Sequence, residues 1–161
     1  MYKRQREYPN VGVYHPNLKG RISEDLTDIP EVKKPIATIG LLLMRSYVLS
    51  GDTAHYDKVI KDFEALNVKI IPAFAGGLDG RPAIEKYFIG TDGPLIDVLV
   101  SLTGFSLVGG PAYNDTNAAV ETLSNLNVPY ISAHPLEFQT LPQWEVSSTG
   151  LGPIETTMLV A

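Results

Sequence analysis

The sequence contains no cysteine, so disulfides, thiolate metal sites and a cysteine nucleophile are all excluded. It also lacks an excess of basic residues, since 13 Lys and Arg stand against 18 Asp and Glu for a net charge of -5. Without surplus cations to neutralise phosphates, the chain is not expected to bind nucleic acid. No apolar run approaches the ~20 residues of a membrane helix, and no apolar stretch follows the charged N-terminus as it would in a signal peptide. These absences are typical of a cytoplasmic protein.

The composition that is present suits one folded domain. The 161 residues are 44% hydrophobic and 19% charged, which is outside the range of disordered chains. A chain of this length buries roughly two-thirds of the surface that its unfolded form exposes. We therefore expect a single hydrophobic core.

Four apolar runs of strand length, bounded by polar residues, predict strands buried on both faces. They are residues 36–43, 68–74, 96–102 and 128–133. Patterns with apolar residues three and four apart predict the helices between them, at 54–66, 81–88 and 118–126. Asp115 or Thr116 is expected to cap the third helix and Asn127 to end it. Regular alternation of strand and helix predicts an α/β fold with an open, doubly wound parallel sheet, flavodoxin-like or Rossmann-like.

The two ends of the chain have a different character. Residues 1–35 are rich in Pro, Asn, Tyr and charge, and we expect an irregular N-terminal arm with one short strand at VGVYHP. The α/β domain then occupies residues 36–161. The final stretch, PIETTMLVA, begins like a helix and stops on apolar residues, which suggests a piece of a longer chain.

Polar and glycine-rich loops follow the predicted strands, and in a parallel sheet such loops share the edge where ligands bind. Arg45 comes directly after the first strand, where it either holds neighbouring loop carbonyls or binds a ligand carboxylate. Ser46, Asp52 and Thr53 in the same loop are further candidates for ligand binding. Asp52 or Thr53 is also expected to cap the following helix.

Histidines and a carboxylate at this edge are candidates for proton transfer or metal binding. His55 stands in the first turn of the first long helix, and His134 follows the fourth strand with Glu137 close behind. Each residue also has a purely structural interpretation. His55 would pack against a neighbouring loop, and His134 and Glu137 would lie in a solvated loop. Because no third ligand is evident, no metal ligand set is assigned.

The segment TGFSLVGG resembles a phosphate cradle at first sight, with Gly109 and Gly110 as candidate cofactor-binding residues. It has neither GxGxxG nor GxxxxGK[ST] spacing, and the glycines are equally explained by a tight crossover turn. No GxSxG nucleophile elbow is present either. A nucleotide-binding protein and a serine hydrolase are therefore poorly supported.

Three long segments resemble a known family. They are PIATIGLLLMRSYVLSGDTAHYDKVIKDFEALNVKIIPAFAGGLD, DVLVSLTGFSLVGGPAYND and VPYISAHPLEFQTLPQWEVSSTGLGPIETTMLVA. Together they are similar to the large, porphyrin-binding subunit of magnesium chelatase, whose relatives include the large subunit of cobaltochelatase. The phrases SLTGFSLVGGPA and HP-x-EFQT look closest to versions of the subunit that serve bacteriochlorophyll synthesis.

The resemblance implies a metal-porphyrin ligase of chlorophyll or bacteriochlorophyll biosynthesis. In that family Mg²⁺, the substrate metal, is inserted into protoporphyrin IX, while ATP is hydrolysed by a separate AAA+ subunit that a third subunit assists. This chain would be one internal domain of the porphyrin-binding subunit, packed against the remaining domains, in the cytoplasm or in the plastid stroma of a plant or alga. Alone it is expected to be inactive and to bind no ATP.

The resemblance also suggests roles for the candidate residues. His55, His134 and Glu137 could accept a pyrrole proton or deliver the metal, and Arg45 could bind a propionate. Two alternatives stay open. The domain could come from a cobaltochelatase large subunit that acts on a corrin precursor, or it could be a scaffold that never touches the tetrapyrrole.

Overall fold

The computed structural model describes residues 7–110, 113–135 and 138–160. It contains ten strands, six α-helices and one short 3-10 helix, Leu26–Asp28, within these ranges. The strands are β1 Val11–Tyr14, β2 Ile22–Ser23, β3 Ala37–Met44, β4 Val68–Ala75, β5 Ile89–Gly90, β6 Gly93–Pro94, β7 Val98–Ser101, β8 Gly109–Gly110, β9 Tyr113–Asn114 and β10 Tyr130–Ser132. The helices are α1 Arg45–Ser50, α2 Ala54–Ala65, α3 Arg81–Tyr87, α4 Thr116–Leu126, α5 Leu141–Glu145 and α6 Pro153–Val160.

Six of the strands form one sheet in the order β10-β7-β3-β4-β1-β2. The four predicted strands are confirmed as β3, β4, β7 and β10, and they run parallel to one another. Pairing is longest between β3 and β4, where Ala37 lies opposite Val68 and Met44 lies opposite Ala75. Their continuous apolar sequences fit this central position, because both faces of each strand are covered.

The sheet is mixed, so the predicted parallel sheet is confirmed for only four of its six strands. The predicted short strand in the N-terminal segment forms β1, which pairs antiparallel with β4, and β2 pairs antiparallel with β1. Gly12 permits the close approach, since a Cβ at that position would lie 2.7 Å from the Phe74 ring. Part of the segment expected to be an irregular arm therefore extends the sheet.

Helices cover both faces of the sheet. On one face Tyr56 and Ile60 of α2 pack with Leu41 and Leu43 of β3 in one buried cluster. On the other face Ile84 of α3 belongs to a second buried cluster. This cluster includes Leu42 of β3 and Ile71 of β4, whose side chains point to the opposite face from those of the first cluster. The alternation of side chains along β3 and β4 thus divides the core in two, as expected for a fully covered sheet.

The predicted helices are confirmed as α2, α3 and α4, but their ends differ from the expectation at one point. Asp115 caps α4 by accepting a hydrogen bond from the Ala118 N–H at 3.0 Å, and Asn127 ends it in the left-handed conformation with φ 51°. Thr53 occupies the N-cap position of α2 but makes no capping hydrogen bond. The predicted cap is wrong because the buried Thr53 hydroxyl hydrogen-bonds to Tyr14 instead.

Two further helices lie outside the predicted set or at its edge. The RSYVLS sequence, expected to be loop, forms α1 and ends at Gly51 with φ 82°. The helical start expected for PIETTMLVA is confirmed by α6. Within the described ranges, no helix combines the length and apolarity needed to cross a bilayer.

Candidate functional site

The strand order reverses between β3 and β7. From β3 the chain passes to β4 on one side, and from β4 it returns across the sheet to β7 on the other. Open α/β sheets bind ligands at the carboxyl ends of the strands near such a reversal. The loops that follow β7 and β10 lie at that edge.

A cleft of about 540 Å³ opens beside these loops. We call it the α4–α6 cleft, because those two helices form its sides and the 104–107 loop and the end of β10 form the rest. Its larger apolar side chains are Phe105, Leu123, Tyr130 and Leu159. The volume lies in the range of ~300–1,000 Å³ that is typical of small-molecule sites.

The polar groups of the α4–α6 cleft are hydroxyls, one amide and one imidazole. They are the hydroxyls of Ser106, Thr116, Tyr130, Ser132 and Thr157, the Asn114 amide and the His134 imidazole. No Lys, Arg, Asp or Glu occurs among its described lining residues. The cleft is therefore suited to an apolar ligand with few hydrogen-bonding groups, and it offers no counter-ion to an anion.

A much smaller cavity of about 30 Å³ lies between the ends of β3 and β4 and the loop after β7. Its most polar lining residue, Asp79, is already paired, because the Arg81 guanidinium donates to its carboxylate at 2.6 Å and 3.0 Å. That pairing holds the pKa of Asp79 below its ordinary value. The cavity has room for about one water molecule and not for a cofactor.

His134 is the candidate that lies in the α4–α6 cleft. It follows β10, is exposed, and shares the lining with Phe105 and Tyr130. Glu137, predicted to act with it, lies outside the described residues.

Arg45 and Ser46 open α1 directly after β3 and do not line the α4–α6 cleft. The Arg45 guanidinium donates to the carbonyl oxygens of Pro9 at 2.9 Å and Tyr8 at 3.2 Å. Of the two expectations for Arg45, this geometry is that of a residue holding loop carbonyls. Ser46 is exposed.

His55 and Asp52 are both exposed near the start of α2. The His55 ring packs on two tyrosines, with ring centroids 5.8 Å from Tyr47 and 3.9 Å from Tyr56. Neither His55, Asp52 nor the buried Thr53 lines the α4–α6 cleft. None of the candidates of the first loop therefore shares the cleft lining with His134.

Gly109 and Gly110 form β8, which pairs with β9 in a short antiparallel hairpin. Gly109 has φ 98°, and a Cβ there would lie 2.0 Å from the carbonyl oxygen of Tyr113. The hairpin geometry thus accounts for a glycine at position 109 without any phosphate. Among the residues that the structure describes, no three His, Asp or Glu side chains come together as a metal site.

A buried polar cluster lies at the N-terminal hairpin, which β1 and β2 form, and the sequence did not predict it. His15 is fully buried and its Nε2 lies 3.0 Å from Glu64, while its Nδ1 accepts the Asn17 N–H at 3.1 Å. Because Nδ1 is an acceptor, Nε2 carries the proton and donates to the Glu64 carboxylate. The pairing joins residues 49 positions apart, so no local motif announces it.

Comparison with known proteins decides the family. The family model described as CobN/Magnesium Chelatase matches residues 1–161. The chain belongs to the CobN/magnesium chelatase family. It is 63% identical over 155 residues to the magnesium-chelatase H subunit of Cereibacter sphaeroides, covering 96% of this chain and 13% of that protein. The chloroplastic magnesium-chelatase subunit ChlH of Oryza sativa subsp. indica is 47% identical over 166 residues, covering 94% of this chain and 12% of the relative.

A solved structure shares this fold. The catalytic subunit of cobaltochelatase from Mycobacterium tuberculosis superposes with a TM-score of 0.66 at 22% sequence identity, covering 96% of this chain and 12% of that one. At this identity the likeness concerns the fold alone. The chain thus spans about 13% of the length of the Cereibacter sphaeroides relative and a similar share of the cobaltochelatase subunit.

Proposed function

We propose that this chain is a domain of the porphyrin-binding subunit of magnesium chelatase, which inserts Mg²⁺ into protoporphyrin IX. The identity of 63% to the Cereibacter sphaeroides protein over 96% of the chain is the observation that carries this proposal. The same reaction places the protein in chlorophyll or bacteriochlorophyll biosynthesis, in a bacterial cytoplasm or a plastid stroma.

The strand order supports a finer description of the fold. The parallel strands are numbered 1 to 4 in chain order, as β3, β4, β7 and β10. Across the sheet, starting from β4, their order is 2-1-3-4. This is the beginning of the flavodoxin-like order. We infer a flavodoxin-like domain with an added antiparallel edge of β1 and β2, whose ligand-facing edge carries the α4–α6 cleft.

Metal insertion sets clear chemical demands. Two pyrrole protons must leave the macrocycle, and Mg²⁺ must lose water that it holds tightly. In this proposal a partner AAA+ subunit and a third subunit couple ATP hydrolysis to the step, and this domain contributes surface for the tetrapyrrole. His134 is the candidate for handling a proton, since it lies in a cleft of ligand size.

The identity values favour magnesium over cobalt. The chain is 61% identical to the magnesium-chelatase H subunit of Rhodobacter capsulatus as well, whereas the cobaltochelatase neighbour shares 22% of its sequence. The latter value supports a common fold and nothing more about substrate. A corrin substrate is therefore the second choice.

The proposal is tested by reconstitution. The full-length polypeptide that carries this sequence is mixed with the two partner subunits, ATP, Mg²⁺ and deuteroporphyrin IX, and the fluorescence of the magnesium product is followed. We expect ATP-dependent product with Mg²⁺ and none when Co²⁺ and a corrin precursor replace the two substrates. Insertion of cobalt without insertion of magnesium would overturn the proposal. The 161-residue chain alone should give no product.

A further inference from the structure

The distribution of basic residues along the chain is strongly uneven. Lys86 is the last Lys or Arg, so residues 87–161 contain neither residue type and one histidine, His134. The same half contains seven acidic residues: Asp92, Asp97, Asp115, Glu121, Glu137, Glu145 and Glu155. Every described residue that lines the α4–α6 cleft comes from this half.

Backbone groups near the cleft do not replace the missing cations. The N-terminus of α4 borders the cleft through Asn114 and Thr116, and the end of a helix often binds anions. Here the Asp115 carboxylate already occupies it and accepts the Ala118 N–H at 3.0 Å. A ligand carboxylate entering the cleft would therefore find no counter-ion among the described residues that line it.

From this we propose that the α4–α6 cleft holds the apolar edge of the tetrapyrrole macrocycle, with both propionates directed out of the cleft. The inference rests on the proposed function, which supplies the class of ligand, and adds the place and the orientation. Phe105, Leu123, Tyr130 and Leu159 offer apolar and aromatic surface to the ring. The hydroxyls and the imidazole can bond to polar atoms of a neutral macrocycle.

The orientation follows from the chemistry of the periphery. Protoporphyrin and deuteroporphyrin carry their two propionates on neighbouring pyrroles, so the opposite edge is uncharged. Uroporphyrin carries carboxylates on all four pyrroles, so any edge would bring charge into the cleft. Burying an unpaired carboxylate is strongly unfavourable. The cleft should therefore accept deuteroporphyrin and reject uroporphyrin.

The test uses neighbouring residues of α4 that differ in exposure to the cleft. Ala119 lines the cleft, whereas Val120 is 58% exposed and does not. Ala119→Trp fills the cleft and Val120→Trp adds the same side chain outside it. Thr116→Trp is a second filling variant, placed at an exposed lining position where the new ring displaces no core side chain. Circular dichroism checks that each variant folds.

Binding is measured in the full-length polypeptide by the shift of the porphyrin Soret band. We expect deuteroporphyrin IX to bind at least about tenfold more weakly to Ala119→Trp and Thr116→Trp, and within about twofold of the unaltered protein to Val120→Trp. Uroporphyrin should bind at least about a hundredfold more weakly than deuteroporphyrin to the unaltered protein, since it must leave a carboxylate unpaired.

A charge added to the cleft gives the converse test. Ser132 lines the cleft and is exposed, so Ser132→Lys supplies the missing cation and should raise the affinity for uroporphyrin about tenfold. Val120→Lys, outside the cleft, should not change it.

The outcomes separate this inference from the proposed function. If both filling variants bind deuteroporphyrin as well as Val120→Trp does, the cleft is not the binding place, and the inference fails while magnesium insertion can still be measured. If uroporphyrin and deuteroporphyrin bind equally well, the orientation is wrong. If the unaltered full-length protein binds no porphyrin and inserts no magnesium, the proposed function fails with it.

Discussion

Replacing Asp57 by alanine should weaken the attachment of the N-terminal hairpin, formed by β1 and β2, to the α/β core. The Asp57 carboxylate on α2 accepts hydrogen bonds from the Tyr14 hydroxyl on β1 and from the Arg21 guanidinium. Tyr14 is only 1% exposed, and the side chain of Asp57 is 21% exposed. This carboxylate is thus the main polar contact between β1 and the helix that covers it.

The magnitude follows from the burial of each partner. A hydrogen bond to a charged group contributes about 1.5–3 kcal/mol to the free energy of unfolding when the donor is buried, as Tyr14 is. Arg21 is 41% exposed, and pairs of this kind contribute about 0–1 kcal/mol. We therefore expect Asp57→Ala to lower the free energy of unfolding by about 2–3 kcal/mol.

Urea unfolding followed by circular dichroism measures the change. Asp62→Ala is the matched control, because Asp62 is on the same helix but 60% exposed, paired only with Lys58 at 72% exposure. It should cost less than about 0.5 kcal/mol. A double-mutant cycle with Tyr14→Phe should give a coupling of about 1 kcal/mol or more. Equal stability of the two alanine variants, or zero coupling, would refute the reasoning.

Three further tests address the same hairpin, with urea unfolding as the assay. Burial and the hydrogen bond to the Asp57 carboxylate raise the pKa of Tyr14 from 10.0 to about 12. Above pH 10 the unfolded chain loses this proton while the folded chain keeps it. The free energy of unfolding should therefore fall by about 1–2 kcal/mol as the pH rises from 10 to 12, and Tyr14→Phe should not show this part of the decrease. His15→Ala should lower the free energy of unfolding by about 2–4 kcal/mol, because it leaves the part-buried Glu64 carboxylate without its donor and opens a cavity. His55 is exposed, so His55→Ala should lower the free energy of unfolding by less than about 1 kcal/mol. Gly12→Ala should lower the free energy of unfolding by about 1–3 kcal/mol, since its Cβ would lie 2.9 Å from a carbonyl oxygen of β2. The nearest atom to a Cβ at position 76 is 3.4 Å away, so Gly76→Ala should lower it by less than about 0.5 kcal/mol. If stability falls equally between pH 10 and pH 12 with and without the Tyr14 hydroxyl, the hairpin is not held in this way. The same conclusion follows if His15→Ala and His55→Ala, or Gly12→Ala and Gly76→Ala, lower the free energy of unfolding by equal amounts.

The central elements of the fold were predictable because their signals are local. Continuous apolar runs identified β3 and β4, and the caps of α4 at Asp115 and Asn127 follow from the preferences of those residue types. The antiparallel edge was not predictable to the same degree. The two residues of β2 are too few for a pattern, and pairing of β1 with β4 joins distant parts of the chain. Thr53 shows the same limit, because its hydroxyl bonds to Tyr14 rather than to its own helix.

The candidate site was predictable only in part, for a similar reason. The expectation that loops at the carboxyl ends of the strands carry the ligand edge led to His134, which lies in the α4–α6 cleft. It also led to Arg45 and His55, whose contacts are with loop carbonyls and two tyrosines. The cleft itself combines a loop, two helices and a strand end, so no single stretch of sequence specifies it. The absence of Lys and Arg after Lys86 is the sequence signal that describes its chemistry.

A domain exchange tests the proposed function most directly. This chain replaces the matching segment of the Cereibacter sphaeroides magnesium-chelatase protein, to which it is 63% identical, and of the cobaltochelatase catalytic subunit from Mycobacterium tuberculosis, with which it shares 22%. Each hybrid is then assayed for metal insertion with its own partner subunits, ATP and its own substrate metal. We expect the magnesium-chelatase hybrid to keep insertion into deuteroporphyrin within about tenfold of the parent rate, while the cobaltochelatase hybrid loses its activity. A folded magnesium-chelatase hybrid that inserts no magnesium would contradict the proposed function.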